Sequence, residues 1–269
     1  MANCFPLVTT FVFSPEQLPR RVQALGWRRP VYLRGAPFDD GLAVAIVGAR
    51  AASWLAMDRA HALGRHLAAR GVQVVSGGAL GVDGAAHRGA LAGRGTTTVV
   101  LGSGLDVLYP LRHAPLFCEI LAHGGTLAGL LPDGTAPRAG TFPQRNELIA
   151  ALADVVIVVE ADVRSGSLST AAAARRFGKI LAAWPGSRGC ERLLAAGCAV
   201  VESCGDAELA LAGTPRRPAS GAPVAIDPIA KQVQDAIANG AEGIDEIVRR
   251  TGLTVRVVLR ALPMIERMQ

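Results

Sequence analysis

Glycine and serine residues follow four apolar runs of this sequence, and an arginine accompanies the first run. That run, residues 44–47, ends at a glycine and precedes a helical pattern, which is how a parallel α/β sheet begins. Because the carboxyl ends of parallel strands meet at one sheet edge, we expect these residues to form one rim. Glycine lets a ligand approach the backbone, serine donates hydrogen bonds, and arginine is a permanent cation. The predicted rim contains Gly48, Arg50, Ser76, Gly77, Gly102, Gly104, Ser165, Gly166 and Ser167.

Together, the four strand ends predict a site for a phosphate-bearing ligand. Each end alone is equally explained as a tight turn, because turns use glycine. The last one, residues 165–170, ends at Thr170 and stands where a helix begins after a core strand. Free N–H groups and the helix dipole would hold a phosphate there. The alternative role of Ser165 or Ser167 is to cap the helix.

A Pro/Gly-rich loop, residues 131–144, precedes the next group of candidate residues. Its length suggests a functional loop, and a helix is predicted from Arg145 to Leu152. Arg145 can bind phosphate, Asn146 can bind a base or a sugar, and Phe142 can stack on a base. The alternative is a hydrophobic staple beside a solvated arginine.

Candidates for catalysis are weaker than candidates for binding. Asp83 and His87 lie four residues apart on one predicted helix, without a nucleophile, and Glu160 is the best single carboxylate for hydrolysis. The sequence contains no Walker motif, and no Gly-x-Gly-x-x-Gly opens the first helix, which disfavours classical ATPase and NAD-binding functions. The five cysteines form no C-x-x-C pair, and no histidine cluster has metal-ligand spacing. We therefore predict no metal and no cofactor.

Composition indicates a large core and permits an anionic partner. Half of the 269 residues are hydrophobic, and the formal charge is +6. The charge is compatible with a polyanion without requiring one. Scattered cysteines, no signal peptide and no apolar run of about 18 residues predict a cytoplasmic protein without membrane contact.

The order of elements predicts the fold class and the domains. Residues 44–211 alternate strand and helix, which predicts a doubly wound, mostly parallel α/β sheet. Residues 1–43 form a short preface with one added strand near residues 30–35. Residues 212–228 hold four prolines and are predicted to be a linker. Residues 229–269 predict a small helix-turn-helix module with Thr251 and Gly252 at the turn.

Six blocks of the sequence, in this order, resemble the DNA-processing protein A (DprA, or Smf) family. They are Val-Ala-Ile-Val-Gly-Ala-Arg at 44–50, Gly-Val-Asp-Gly-Ala-Ala-His at 81–87, Val-Leu-Gly-Ser-Gly-Leu-Asp-Val-Leu-Tyr-Pro at 100–110, Phe-Pro-Gln-Arg-Asn at 142–146, Ser-Gly-Ser-Leu-Ser-Thr-Ala at 165–171, and Pro-Gly at 185–186. The C-terminal segment resembles the winged-helix domain of many members, although the chain stops at Gln269, before a wing hairpin. We expect this segment to support dimerisation or protein contacts.

The resemblance implies an extended Rossmann-like core that binds single-stranded DNA without cleaving it. It also implies protection of incoming DNA during natural transformation, help in loading RecA, and a homodimer. Arg50 corresponds to the arginine that grips phosphate in the family, and Arg145 with Asn146 corresponds to its basic loop-to-helix motif. Residues 165–170 correspond to the motif at the helix start.

Four residues depart from the family pattern. The family usually has serine at Ala49, a large polar or basic residue at Leu80, arginine at Glu147 and asparagine at Glu191. Each change removes a donor or a cation or adds an anion, and a carboxylate near a phosphate is repelled by it. These changes predict weaker DNA binding than is usual in the family.

Two other functions fit a sheet of this kind. Nucleoside-monophosphate phosphoribohydrolases resemble this core but use Pro-Gly-Gly-x-Gly-Thr followed by a catalytic glutamate. This chain has serines at 165, 167 and 169 and four alanines at 171–174, which argues against hydrolysis. The other function is that of a sensor binding a single nucleotide at the rim.

Overall fold

The computed structural model describes residues 9–218 and, near the C-terminus, residues 232–233, 235–237, 240–241, 243–255 and 257–258. The chain divides into two compact units, Met1–Pro218 and Ala219–Gln269. The predicted linker from residue 219 onward and the end of the predicted helix-turn-helix module lie outside the described residues. Among the residues that are described, no helix is both long enough and apolar enough to span a bilayer.

The first unit is built on one mixed sheet whose order is β1-β2-β6-β5-β4-β3-β7-β8-β9. Strands β3 to β9 pair in parallel, whereas β2 pairs antiparallel with both β1 and β6. The predicted doubly wound, mostly parallel sheet is confirmed. The strands are β1 (Phe11–Phe13), β2 (Val31–Gly35), β3 (Ala43–Val47), β4 (Gln73–Ser76), β5 (Thr97–Leu101), β6 (Thr126–Gly129), β7 (Val155–Val158), β8 (Ile180–Ala183) and β9 (Ala199–Val200).

The order in which successive strands are added to the sheet reverses between β3 and β7, which are parallel neighbours. The chain runs outward from β3 to β6, returns to place β7 beside β3, and continues outward to β9 on the other side. Ligands of open α/β sheets bind beyond the carboxyl ends of the strands at such a switch point. Residues that follow β3 and β7 are therefore the ones that the fold brings together.

The N-terminal segment contains a second strand that the sequence pattern did not indicate. Phe11 pairs with Leu33, so β1 extends the sheet beyond β2, the one strand predicted in this segment. Three residues are too few to show a two-residue periodicity, and two of the three side chains in β1 are exposed.

Helices connect the strands and cover both faces of the sheet. The predicted helix starting at Arg145 begins four residues earlier, at Thr141, whose hydroxyl donates to the Gly102 carbonyl at 2.6 Å. A proline within the first helical turn costs no internal hydrogen bond, so Pro143 is tolerated there. The helices are α1 (Arg20–Gln23), α2 (Trp54–Ala68), α3 (Val82–Ala92), α4 (Ala114–Ala122), α5 (Thr141–Leu152), α6 (Ser167–Arg176), α7 (Arg188–Ala195), α8 (Cys204–Leu211) and α9 (Ile244–Thr251).

The core lies in layers on either side of the sheet. Val44 and Ile46 of β3 pack with α2, α3 and α8, while Ala45 and Val47 of the same strand pack with α5 and α6. This alternation follows from the two-residue period of a strand buried on both faces. In the second unit, α9 ends at Gly252, whose φ of +69° lies in the left-handed region that glycine favours.

Helices α2 and α3 approach each other through two glycines. A Cβ atom at Gly89 would overlap the His61 carbonyl oxygen, and one at Gly64 would overlap the Ala86 carbonyl oxygen. The two helices therefore pack more closely than any larger residue at these positions would permit.

We expect Gly89→Ala to destabilise the first unit by about 1–3 kcal/mol, because the added methyl group must push two helices apart. Thermal unfolding measures the effect as a lower Tm. The matched control is Gly205→Ala on α8, where the nearest atom to the new Cβ is Ser203 Oγ at 3.7 Å. An unchanged Tm for Gly89→Ala would contradict the close packing.

His87 is buried in α3 as a neutral side chain. Thr97 Oγ1 donates its one proton to the Val74 carbonyl at 2.8 Å, so His87 Nδ1–H donates to Thr97 Oγ1 at 2.7 Å. His87 Nε2 has no hydrogen-bond partner among the described residues. Burial is the main cause that lowers the pKa of His87 from 6.5 to about 3.

A neutral buried histidine makes stability depend on pH. Between pH 6.5 and about 3, the unfolded chain binds a proton that folded His87 rejects, so the free energy of unfolding falls as the pH falls. We expect up to about 1.4 kcal/mol per pH unit from this residue. Urea unfolding at several pH values should show a shallower acid dependence for His87→Gln; equal slopes would contradict the assignment.

Candidate anion-binding site

A cavity of about 530 Å³ lies at the switch point of the sheet. The loop after β3, the first half of α5 and the loop between β7 and α6 form its walls. These segments are distant in sequence and meet because β3 and β7 are neighbours. Nine of the residues predicted from the sequence line it: Gly48, Arg50, Phe142, Arg145, Asn146, Ser165, Gly166, Ser167 and Thr170.

Arg145 places a buried cation in the wall of the cavity. Its side chain is 5% exposed, and Nη1–H donates to the Val100 carbonyl at 3.1 Å. The Nε atom has no hydrogen-bond partner among the described residues. Burial lowers the pKa of Arg145 to about 10, while nearby Asp83 opposes that shift. The guanidinium group therefore remains charged at neutral pH.

Gly77 makes room for this guanidinium group. A Cβ atom at Gly77 would overlap Arg145 Nη1 and would lie 2.7 Å from Asp83 Oδ2. The observed role of Gly77 is therefore to let the arginine lie against the backbone, and this role explains a glycine at the end of β4.

Asp83 supplies the charge that faces Arg145. The carboxylate lines the same cavity, is 6% exposed, and accepts from the Ala79 amide at 3.3 Å. Burial raises the pKa of Asp83, and the Arg145 cation counteracts that rise. Asp83 and His87, four residues apart on α3, have different hydrogen-bond partners, so the pair does not form a catalytic dyad.

Two arginines lie close to the ring of Phe142. The Cζ atom of Arg50 lies 5.2 Å from the centroid of the Phe142 ring, and the Cζ atom of Arg145 lies 5.7 Å from it. Both distances are within the range of cation–π attraction. The ring also contacts Tyr109, with centroids 5.9 Å apart, beside a second cavity of about 60 Å³. Arg50 itself is exposed, so its guanidinium group is accessible to a ligand.

At the start of α6, serine hydroxyls are available to a ligand, whereas two of the backbone amides are already hydrogen-bonded within the protein. The amides of Leu168 and Ser169 donate to the carbonyls of Ser165 and Gly166, each at 3.1 Å. The hydroxyls of Ser165 and Ser167 lie 2.7 Å apart, so one donates to the other. The accepting hydroxyl keeps its own proton for a further hydrogen bond. The N-cap residue of α6 is Gly166, and no side chain caps the helix, so the capping function expected as the alternative is not observed. The Ser167 amide donates to Ser165 Oγ at 3.4 Å, and Ser165 and Ser167 both line the cavity.

Asn146 links two walls of the cavity. Its Nδ2 atom donates to Ser169 Oγ at 2.6 Å and to the Gly166 carbonyl at 3.2 Å. These bonds hold the start of α6 against α5. The observed contacts of the amide nitrogen are therefore within the protein, where the sequence suggested a base or a sugar.

Four predicted rim residues lie outside the main cavity. Gly77 and Gly102 line the smaller cavity, where Phe142 packs against Gly102. Ser76 is buried and donates to the Ile46 carbonyl at 2.6 Å, and the Gly104 amide donates to the Thr135 carbonyl at 2.8 Å. Ser76 and Gly104 line neither cavity. Each instead makes a hydrogen bond to another segment of the chain.

The sequence analysis missed Arg164, a third arginine of the cavity wall. It is exposed and lies in the loop between β7 and α6, together with Asp162. Its position directly before Ser165 was the available signal, although an arginine in a loop looks like any solvated surface residue.

Two of the departures from the family pattern lie outside the cavity. Glu147 binds Arg29 at 2.5 Å and Arg176 at 2.7 Å, and Glu191 Oε1 accepts from the Gly186 amide at 2.7 Å. Neither carboxylate lines the cavity, so neither repels a ligand at short range. The other two departures do lie at the site, since Ala49 lines the main cavity and Leu80 the smaller one.

Glu160, the best single carboxylate for hydrolysis, is also engaged elsewhere. Its Oε1 atom accepts from the Ser53 amide at 3.0 Å, and its Oε2 atom accepts from the Ser53 hydroxyl at 2.5 Å. Among the described residues there is no group of three or more histidine, cysteine, aspartate or glutamate side chains placed to hold a metal ion. The three arginines that line the cavity make it a candidate site for an anion.

Comparisons with known proteins identify relatives of this chain. A putative DNA processing protein DprA of Mycobacterium tuberculosis is 42% identical over 237 residues, which cover 83% of this chain and 60% of that protein. The DprA structure from Helicobacter pylori, described with its single-stranded DNA binding mode, has a TM-score of 0.68 and 30% identity over 77% of this chain and 98% of its own. The DprA structure from Streptococcus pneumoniae also has a TM-score of 0.68, with 32% identity over 74% of each chain.

Family profiles match nearly the whole chain. Residues 11–212 match the family described as DNA recombination-mediator protein A, and residues 216–266 match the DprA winged helix domain. The chain spans about 60% of the length of the M. tuberculosis relative. The resemblance drawn from the six sequence blocks is therefore confirmed, and the chain belongs to the DprA family, with a Rossmann-like α/β unit followed by a winged-helix domain.

Proposed function

We propose that this chain binds single-stranded DNA, without sequence preference and without cleaving it, by holding phosphates in the cavity at the switch point. The observation that carries the proposal is the convergence of Arg50, Arg145 and Arg164 on one cavity. Arginine is suited to phosphate because its planar fork donates two hydrogen bonds at once. The single-stranded DNA binding mode described for the H. pylori relative supports the same ligand class.

The charge and shape of the cavity suit a strand with accessible bases. Three arginines and two aspartates, Asp83 and Asp162, line the cavity, which leaves it net positive. Phe142 and Tyr109 provide aromatic surface directly beside the cations. Aromatic rings stack on bases that are not already paired, which favours a single strand over a duplex.

Family membership supports a wider cellular role. We propose that the chain protects incoming DNA and promotes RecA loading during natural transformation, acting as a cytoplasmic homodimer. These finer assignments rest on the family and not on the cavity, and they need the partner protein to be tested.

The alternative is a nucleotide-binding or phosphoribohydrolase-like enzyme on the same fold. Asp83 is the observation that favours it, because a buried titratable group that lines a cavity is typical of an active site. Against it stand the four alanines at 171–174 and the engagement of Glu160 with Ser53. Release of free adenine from AMP by the wild type would establish the enzyme.

We expect labelled oligo-dT to bind with an affinity that falls as salt rises, by roughly 0.7 logarithmic units per phosphate contact. Arg50→Ala and Arg164→Ala each remove an exposed cation, so each should weaken binding and lower the salt slope by about one contact. Fluorescence anisotropy across a salt series measures both quantities.

The matched control is Arg20→Ala, which also removes one exposed cation but one that pairs with Asp40 away from the cavity. Its salt slope should equal that of the wild type. If wild-type binding shows no dependence on salt, or if all three variants behave alike, the proposal is contradicted.

Glu147→Gln should change the dissociation constant by less than about twofold, because screening weakens a charge that lies outside the cavity. The substitution removes the partner of Arg29 and Arg176, so we expect a small loss of stability, about 1 kcal/mol. Anisotropy and urea unfolding measure the two effects. A gain in affinity of tenfold or so would show that Glu147 repels the strand.

A further inference from the structure

Trp54 exposes its indole ring at the same edge of the sheet as the cavity. Its side chain, at the first position of α2, is 72% exposed, whereas Trp27 is 9% exposed and Trp184 lies under the guanidinium group of Arg59. Leu55 and Met57 beside it are exposed as well. Trp54, Leu55 and Met57 together expose apolar surface at the start of α2, and apolar patches on a protein surface mark interaction sites.

The position of Trp54 is fixed by the residue before it. The amide and the hydroxyl of Ser53 both donate to Glu160, at the end of β7, at 3.0 and 2.5 Å. Ser53 Oγ in turn accepts from the Ala56 amide at 3.2 Å, which caps α2. The indole is thus attached to a backbone that is anchored at the rim of the cavity.

The same loop forms part of the cavity wall. Ala51 lines the cavity and precedes Trp54 by three residues, so the two Cα atoms are at most about 11 Å apart. A strand whose phosphate lies among the arginines would carry a neighbouring nucleotide to the indole. Asp58 lies one helical turn beyond Trp54 and disfavours a phosphate there, so a base, not the backbone, is the group that meets the ring.

We propose that Trp54 is a stacking platform for one base of a single-stranded nucleic acid whose adjoining phosphate is held in the cavity. This assignment rests on the proposed function and adds a second point of contact that binds a base and not a phosphate. Stacking tolerates any base, because every base has an aromatic face, and it contributes nothing to the salt dependence of binding.

The test uses the full chain and oligo-dT, with Trp54→Ala, Trp54→Phe and Trp54→Leu. We expect Trp54→Ala to raise the dissociation constant roughly tenfold with an unchanged salt slope. Phe should retain most of the affinity, whereas Leu, which is apolar without an aromatic face, should not. Leu209→Ala on α8 is the control, because it truncates another exposed apolar side chain, 47% exposed.

An abasic oligonucleotide locates the contact. Moving one abasic position along the strand should reveal a site where the wild type loses affinity and Trp54→Ala loses none further, since base and ring contribute one interaction. The stacking assignment is overturned if Trp54→Ala binds as tightly as the wild type while Arg50→Ala is weakened, if Leu restores affinity, or if the salt slope falls. If the wild type binds no oligonucleotide, the proposed function itself fails, and this inference fails with it.

Discussion

The buried guanidinium group of Arg145 is the constraint on which the rest of the site depends. A charge removed from water is tolerated only with compensating partners, and here they are the Val100 carbonyl and the nearby Asp83 carboxylate. These requirements place α5 over the ends of β4 and β5 and exclude any side chain at residue 77. The cation is therefore in place before a ligand arrives.

Residues between Arg145 and the protein surface are also held by contacts within the protein. The guanidinium groups of Arg145 and Arg50 both lie within cation–π range of the Phe142 ring, and Asn146 holds the start of α6 against α5. Next to the cavity, Glu160 holds Ser53 and with it the beginning of α2. These contacts fix Arg145, Phe142 and the start of α6 within the protein, so a ligand would not bear the cost of ordering them.

Local sequence patterns predicted the parallel sheet and most of the residues that line the cavity. The apolar run before Gly48 and the alternation of strands and helices predict the parallel sheet, and the sheet then places Arg50 beside residues 165–170. What the sequence did not reveal depends on contacts between distant residues. The Glu147 side chain binds Arg29, which is 118 residues away in the sequence, and the Ser76 hydroxyl binds a carbonyl of a neighbouring strand. The direction of neither side chain follows from the residues next to it in the sequence. Arg164 was missed because an arginine in a loop looks like any solvated surface residue.

The most direct measurement is a crystal structure of this chain with a short oligo-dT. We expect a backbone phosphate in the cavity, with its oxygens about 3 Å from the guanidinium nitrogens of Arg50 and Arg164 and from a hydroxyl of Ser165 or Ser167. A strand bound on another face, with the cavity holding only solvent, would contradict this expectation.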